Sequence, residues 1–188
     1  PPGIWNITRT ELGYGDDHFG VNTAAFVEDG YVYLLGFDDG PDDKPMDRSG
    51  ILARIPIPAL DSENPASAIE FWSQGDQWLP KPDRVAHLYQ PGATEASLHY
   101  DPVRKRYITV AIRPFKPDLY LVSAPKLTGP WSEPQKIYHM PEVEQKEIYH
   151  AYAGRAHPEL TNSPGELPIT YVVNTSDFWS MFSTLDIY

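Results

Sequence analysis

The sequence predicts an all-β fold, a β-propeller built from four-stranded antiparallel blades, and three observations carry that prediction. Gly and Pro, 13 and 20 of them in 188 residues, punctuate the chain throughout. Such punctuation favours many short strands and leaves few places for a long helix. The runs between these breaks are rich in β-branched and aromatic residues and lack helical periodicity. The order of those runs also recurs: a strand of small residues, a tight turn, an aromatic strand, a Pro-containing strand, then a Trp-containing outer strand. Recurrence at roughly 40–75 residues suits propeller blades. A single sandwich also gives many short strands, but it supplies no reason for the recurrence.

Residues 1–15 hold one extended run, Ile4-Trp5-Asn6-Ile7, and read as a partial blade. The first full blade spans 18–80. Its inner strand covers 21–27, and Glu28-Asp29-Gly30 is a hairpin turn marked by Asp-Gly. Aromatic and β-branched residues 31–37 form the second strand. After an acidic loop, residues 50–57 form the third, whose Pro residues suit a position near a sheet edge. Residues 65–70 are a linker with room for one helical turn, and 69–78 form a single outer strand. The second blade, 94–140, repeats the plan: inner strand 95–100, an Asp101-Pro102 turn, strands 107–113 and 119–124, and an outer strand 135–138. A partial blade, 149–188, enters through 149–160, turns at Asn162-Ser163-Pro164-Gly165, and continues through 167–173. Residues 178–188 would begin a further strand.

Composition narrows the function. Hydrophobic residues make up 41% of the chain and aromatic ones 13%, which describes a globular protein. A net charge of −11 argues against nucleic acid, whose phosphates need clustered Lys and Arg. The lack of Cys removes disulfides, thiolate zinc sites and Cys nucleophiles. No apolar run approaches a membrane span, so no membrane partner is expected. The sequons Asn6-Ile7-Thr8 and Asn174-Thr175-Ser176 fit an extracellular protein. The 5 Trp and 12 Tyr suit packing between sheets, or sugar rings where they are exposed.

Three segments carry a family resemblance. Thr94-Glu95-Ala96-Ser97-Leu98-His99-Tyr100-Asp101, with Arg106-Tyr107-Ile108-Thr109, resembles the blade opening of five-bladed propeller glycosidases of the glycoside hydrolase family 43 type. Leu127-Thr128-Gly129-Pro130-Trp131-Ser132 resembles an outer turn common in those proteins. Ala156-His157-Pro158-Glu159-Leu160, followed by Gly165-Glu166-Leu167 and Tyr171-Val172-Val173-Asn174, is similar to the last blade of the family known as domain of unknown function 4185. Some members of that family are arabinan-cleaving hydrolases. The resemblance implies that the chain is the C-terminal half to two-thirds of a five-bladed propeller. The remainder would be a removed N-terminal segment, a second chain, or otherwise absent; a compact fold formed by these residues alone is the alternative. It also implies a carbohydrate-active protein that hydrolyses glycosidic bonds, with an oligo- or polysaccharide as partner. The alternative is a non-catalytic propeller that binds glycans or a protein.

Glycoside hydrolysis uses two carboxyl groups, a general acid and a base or nucleophile. Glu95, at the start of an inner strand, is the candidate acid; its plainer role is to order the channel by hydrogen bonding. Asp16 and Asp17, just before the first inner strand, are the candidate partners, with a solvated turn as the plainer reading. His18, Asn22, His150, Tyr152, Arg155 and His157 are candidates for binding sugar hydroxyls. No cofactor is expected, and the resemblance adds only a central calcium or other ion held by a His, with His150 and His157 the candidates. For His157, packing at the strand entry with a bond to backbone is the preferred reading. His87, His99 and His139 show no partner pattern and are expected at the surface. The acidic run from Asp38 to Asp47 lacks the ligand spacing of a calcium hand and reads as a solvated loop. Trp72, Trp78, Trp131 and Trp179 read as packing residues.

Overall fold

The structure is a computed structural model. The residues it describes are 9, 11, 18–40, 47–113, 116–145 and 148–175, without the side chains of 148–150. These residues form eleven strands in three antiparallel sheets, with short 3-10 turns and no α-helix among them. The first sheet contains β1 (Phe19–Glu28), β2 (Tyr31–Asp38), β3 (Ser49–Pro56), β4 (Glu70–Ser73) and β5 (Gln77–Leu79). The second contains β6 (Ala96–Asp101), β7 (Arg106–Ile112), β8 (Asp118–Ala124) and β9 (Gln135–His139). β10 (Ile148–Ala156) and β11 (Ile169–Thr175) form the third. Each sheet is a meander in which sequence neighbours pair. A single two-sheet sandwich does not describe this arrangement.

Local chemistry sets the turns. Asp29 and Gly30 both have positive φ, 48° and 81°, the geometry of a type I′ hairpin turn that Asp-Gly favours. Asp101 closes the turn after β6 by accepting the Val103 and Arg104 amides on Oδ1, at 2.8 and 3.0 Å. The expected single outer strand 69–78 is two strands. Gly75 and Asp76, at φ 86° and 54°, reverse the chain and pair Trp72 with Trp78. The expectation that residues 50–57 lie near a sheet edge also fails. β3 is interior, and its neighbour β4 pairs only with Ala53 and Arg54, so Pro56, opposite Tyr31 on β2, lies beyond the β3–β4 pairing and no donor is missed on that side. The linker helix is a 3-10 turn at Pro65–Ala68. Residues 4–7 and 178–188, and with them Trp179, lie outside the described residues.

The sheets stack in chain order because the second presents apolar side chains on both faces. On β7, Tyr107 packs toward the first sheet with Leu35, Leu52 and Leu98. Its alternate residues Ile108, Val110 and Ile112 pack with Met140, Ala151 and Ala156 on the other side. That period-two division is a strand buried on both faces. Each fully buried aliphatic side chain there is worth about 1.5–3 kcal/mol. Trp72, Trp78 and Trp131 lie against the first seam as packing residues. At the second seam a Cβ on Gly154 would lie 2.6 Å from Leu119 Cδ2, so glycine lets β10 approach the second sheet.

Candidate functional site

Two hydroxyls fasten the first strands of the first two sheets to segments further along the chain. Thr23 Oγ1 on β1 donates to the Ala93 carbonyl at 2.8 Å, just ahead of β6. Ser97 Oγ on β6 accepts the Ala156 amide at the end of β10, at 2.9 Å. These bonds bring β1, β6 and the end of β10 around a cleft of about 430 Å³. Its walls include Ala25 on β1, Leu98 and His99 on β6, and Arg155, His157 and Glu159 at the end of β10.

His99 corrects the expectation of a surface histidine, since it is 9% exposed. A strand covered on both faces buries its polar residues together with its apolar ones. Burial pulls the imidazole below its ordinary pKa, and the charges of Asp101 and Glu159 only partly offset this. Its Nδ1 is sealed from solvent with no hydrogen-bond partner among the described residues. His99 also lines a second hollow of about 340 Å³, bordered by Tyr100, Val103, Pro164 and Leu167.

His157 sits between two side chains, with Nδ1 2.8 Å from Glu159 Oε1 and Nε2 2.8 Å from Thr170 Oγ1. A carboxylate only accepts, so Nδ1–H donates to Glu159 and the Thr170 hydroxyl meets Nε2. The expected bond from this ring to backbone is therefore replaced by two side-chain bonds. The Glu159 carboxyl is held below the usual carboxylate range, first by its own backbone amide and then by His157. Arg155 is exposed and makes no hydrogen bond or ion pair to another described residue.

The other candidates scatter. Glu95 is exposed, lies just ahead of β6 rather than within it, and is not part of the cleft lining. It makes no hydrogen bond or ion pair to another described residue. His18 precedes β1, with Nδ1 3.5 Å from Asp39 Oδ2. Asn22 is exposed at the irregular start of β1. Tyr152 is half-buried on β10, opposite Val172. The backbone of His150 pairs with Asn174, and its side chain lies outside the described residues, as do Asp16 and Asp17.

Partners also appear where none was read. His87 Nε2 meets Asp38 Oδ2 at 2.8 Å, and His139 bridges Asp118 and Glu144 at 2.7 and 2.9 Å. The solvated reading of the acidic loop fails at Asp39, which is buried beneath the Arg48 guanidinium. Residues 41–46 lie outside the described residues. Among the described residues no three His, Cys, Asp or Glu side chains are grouped to hold a metal ion.

Fold and cleft define an all-β protein of successive antiparallel meanders whose first strands border a polar-edged hollow. The chain belongs to the family described as domain of unknown function (DUF4185), whose model matches residues 3–183. It is also similar to a crystal structure from Bacteroides ovatus ATCC 8483 described as a "putative hydrolase". The identity is 18% and the TM-score 0.62, over 89% of this chain and 42% of that one. The chain thus spans less than half the length of that protein, and at this identity the likeness is one of fold. No curated protein matches the chain.

Proposed function

We propose that this chain is part of a β-propeller in an extracellular, carbohydrate-active protein, and that it serves the hydrolysis of glycosidic bonds with Glu95 as general acid. The observation that carries the reading is the exposed Glu95 carboxylate at the head of β6, unengaged by any other described residue. Glu95 immediately precedes β6, whose residues Ser97, Leu98 and His99 line the cleft. Stacked meanders whose first strands border one hollow support the propeller, in which such strands surround a central channel. The likeness to a larger protein described as a "putative hydrolase" supports the reaction class. Asp16 and Asp17, ahead of β1, supply the candidate second carboxylate.

Glu95→Gln tests the reading on a polysaccharide panel. A lost general acid lowers hydrolysis by about 10²–10⁴-fold while glycan binding is kept. Unchanged hydrolysis in the variant removes Glu95 from that role. Hydrolysis of nothing on the panel by the unmodified protein defeats the catalytic reading.

A second reading, glycan binding without hydrolysis, has its own support in the cleft lining. The carboxylate there, Glu159, is engaged by His157, while Arg155 presents donors that no other described residue takes up. Binding of glycans without turnover is the outcome that selects it.

A further inference from the structure

The cleft between β6 and the end of β10 contains two groups that together narrow the ligand it takes. One is His99, nine-tenths buried, with Nδ1 sealed and unpartnered. Protonation would place an N–H on that sealed nitrogen, and a buried N–H without an acceptor is seldom tolerated. The neutral ring therefore carries its proton on Nε2, which is left as the nitrogen able to meet a ligand. The second group is Arg155, an exposed guanidinium in the same lining with no described partner. Glu159, the neighbouring carboxylate, is turned to His157 at 2.8 Å.

We propose that this cleft binds an acidic sugar unit, with Arg155 taking the sugar carboxylate and His99 donating from Nε2 to an adjacent oxygen. A planar guanidinium matches a carboxylate through paired N–H donors, and a fixed neutral N–H beside it suits an acceptor-rich ligand. Ala25 and Leu98 offer apolar wall to the C–H face of a ring. The net charge of −11 opposes an anion only at long range, because exposed charges beyond about 8 Å are screened at physiological salt. A guanidinium in direct contact outweighs it. The inference rests on the glycan reading above and narrows it to glycans bearing carboxylates.

The test is calorimetric titration with glucuronate and galacturonate oligosaccharides, each beside its methyl ester, which keeps the hydroxyls and removes the charge. The acid binds about tenfold tighter than the ester, the range of one charge-assisted hydrogen bond. Arg155→Gln, a substitution at an exposed position, abolishes that preference, and addition of the acid shifts the His99 ring resonances. Equal binding of acid and ester, or a preference that survives Arg155→Gln, overturns the proposal. Binding of neutral glycans alone overturns it and leaves the glycan reading standing. Binding of no glycan, acidic or neutral, overturns both.

Discussion

Tyr107 donates its phenolic hydrogen to Glu28 Oε1 at 2.5 Å, joining the middle of the second sheet to the hairpin end of the first. The Tyr107 ring also meets Phe26 edge-on at 5.7 Å and Tyr100 at 5.1 Å, so the bond sits at the rim of an aromatic seam. Burial first, and then the Glu28 carboxylate, pushes the phenol pKa up.

Tyr107→Phe keeps the ring and removes the donor, leaving Glu28 without its partner. The expected cost is about 1.5–3 kcal/mol, the range for a hydrogen bond to a charged group. Urea unfolding measures it. A variant as stable as the parent would show that the bond is fully replaced by water.

Arg48 and Asp39 form a buried fork, with Arg48 Nε on Oδ1, Nη2 on Oδ2 at 3.0 Å, and the guanidinium 4.4 Å above the Phe37 ring. Arg48→Ala strands a carboxylate that is 1% exposed, at an expected cost of about 3–5 kcal/mol. Lys does not restore it, since an ammonium supplies neither the fork nor the stacking. Thermal unfolding of the Arg48→Ala and Arg48→Lys variants checks this, and full stability in the Lys variant would refute the argument from geometry.

His139 and His99 titrate in opposite directions from the ordinary 6.5. The bond to Asp118, and then that to Glu144, raises His139. Its stabilising contribution is present below 6.5 and is lost as pH rises through the raised value. Burial lowers His99, so its contribution is present above 6.5 and is lost as pH falls through the lowered value. Ring resonances monitored against pH separate the two midpoints, and Asp118→Asn moves only that of His139 downward. Coincident midpoints would contradict both assignments.

The strands of the first two sheets were legible to within a residue or two, because Asp-Gly, Asp-Pro and β-branched runs are local signals. The split of the outer strand at Gly75-Asp76 was equally local and was overlooked beside the two Trp residues that flank it. Family membership was legible from Ala156-His157-Pro158-Glu159-Leu160 and its neighbours. The cleft was not. Ser97 meets Ala156 across a long stretch of chain, and no spacing rule announces such a contact. His99 misled because a lone His in an alternating strand reads as the outward face, whereas this strand is covered on both. The near-continuous apolar run of β7, its partner, was the available sign that the sheet lacks an outward face.

Phe26 pairs with Tyr33 as Tyr100 pairs with Tyr107, and three positions earlier stand Thr23 and Ser97. These two residues stand at the same spacing from those pairs, yet one hydroxyl gives a hydrogen to a carbonyl and the other takes one from an amide. A hydroxyl rotates to do either, while an amine could only give and a carboxylate only take. The fastening is therefore indifferent to which backbone group comes to meet it. A strand carrying it can be set beside an unlike neighbour without redesign of the joint.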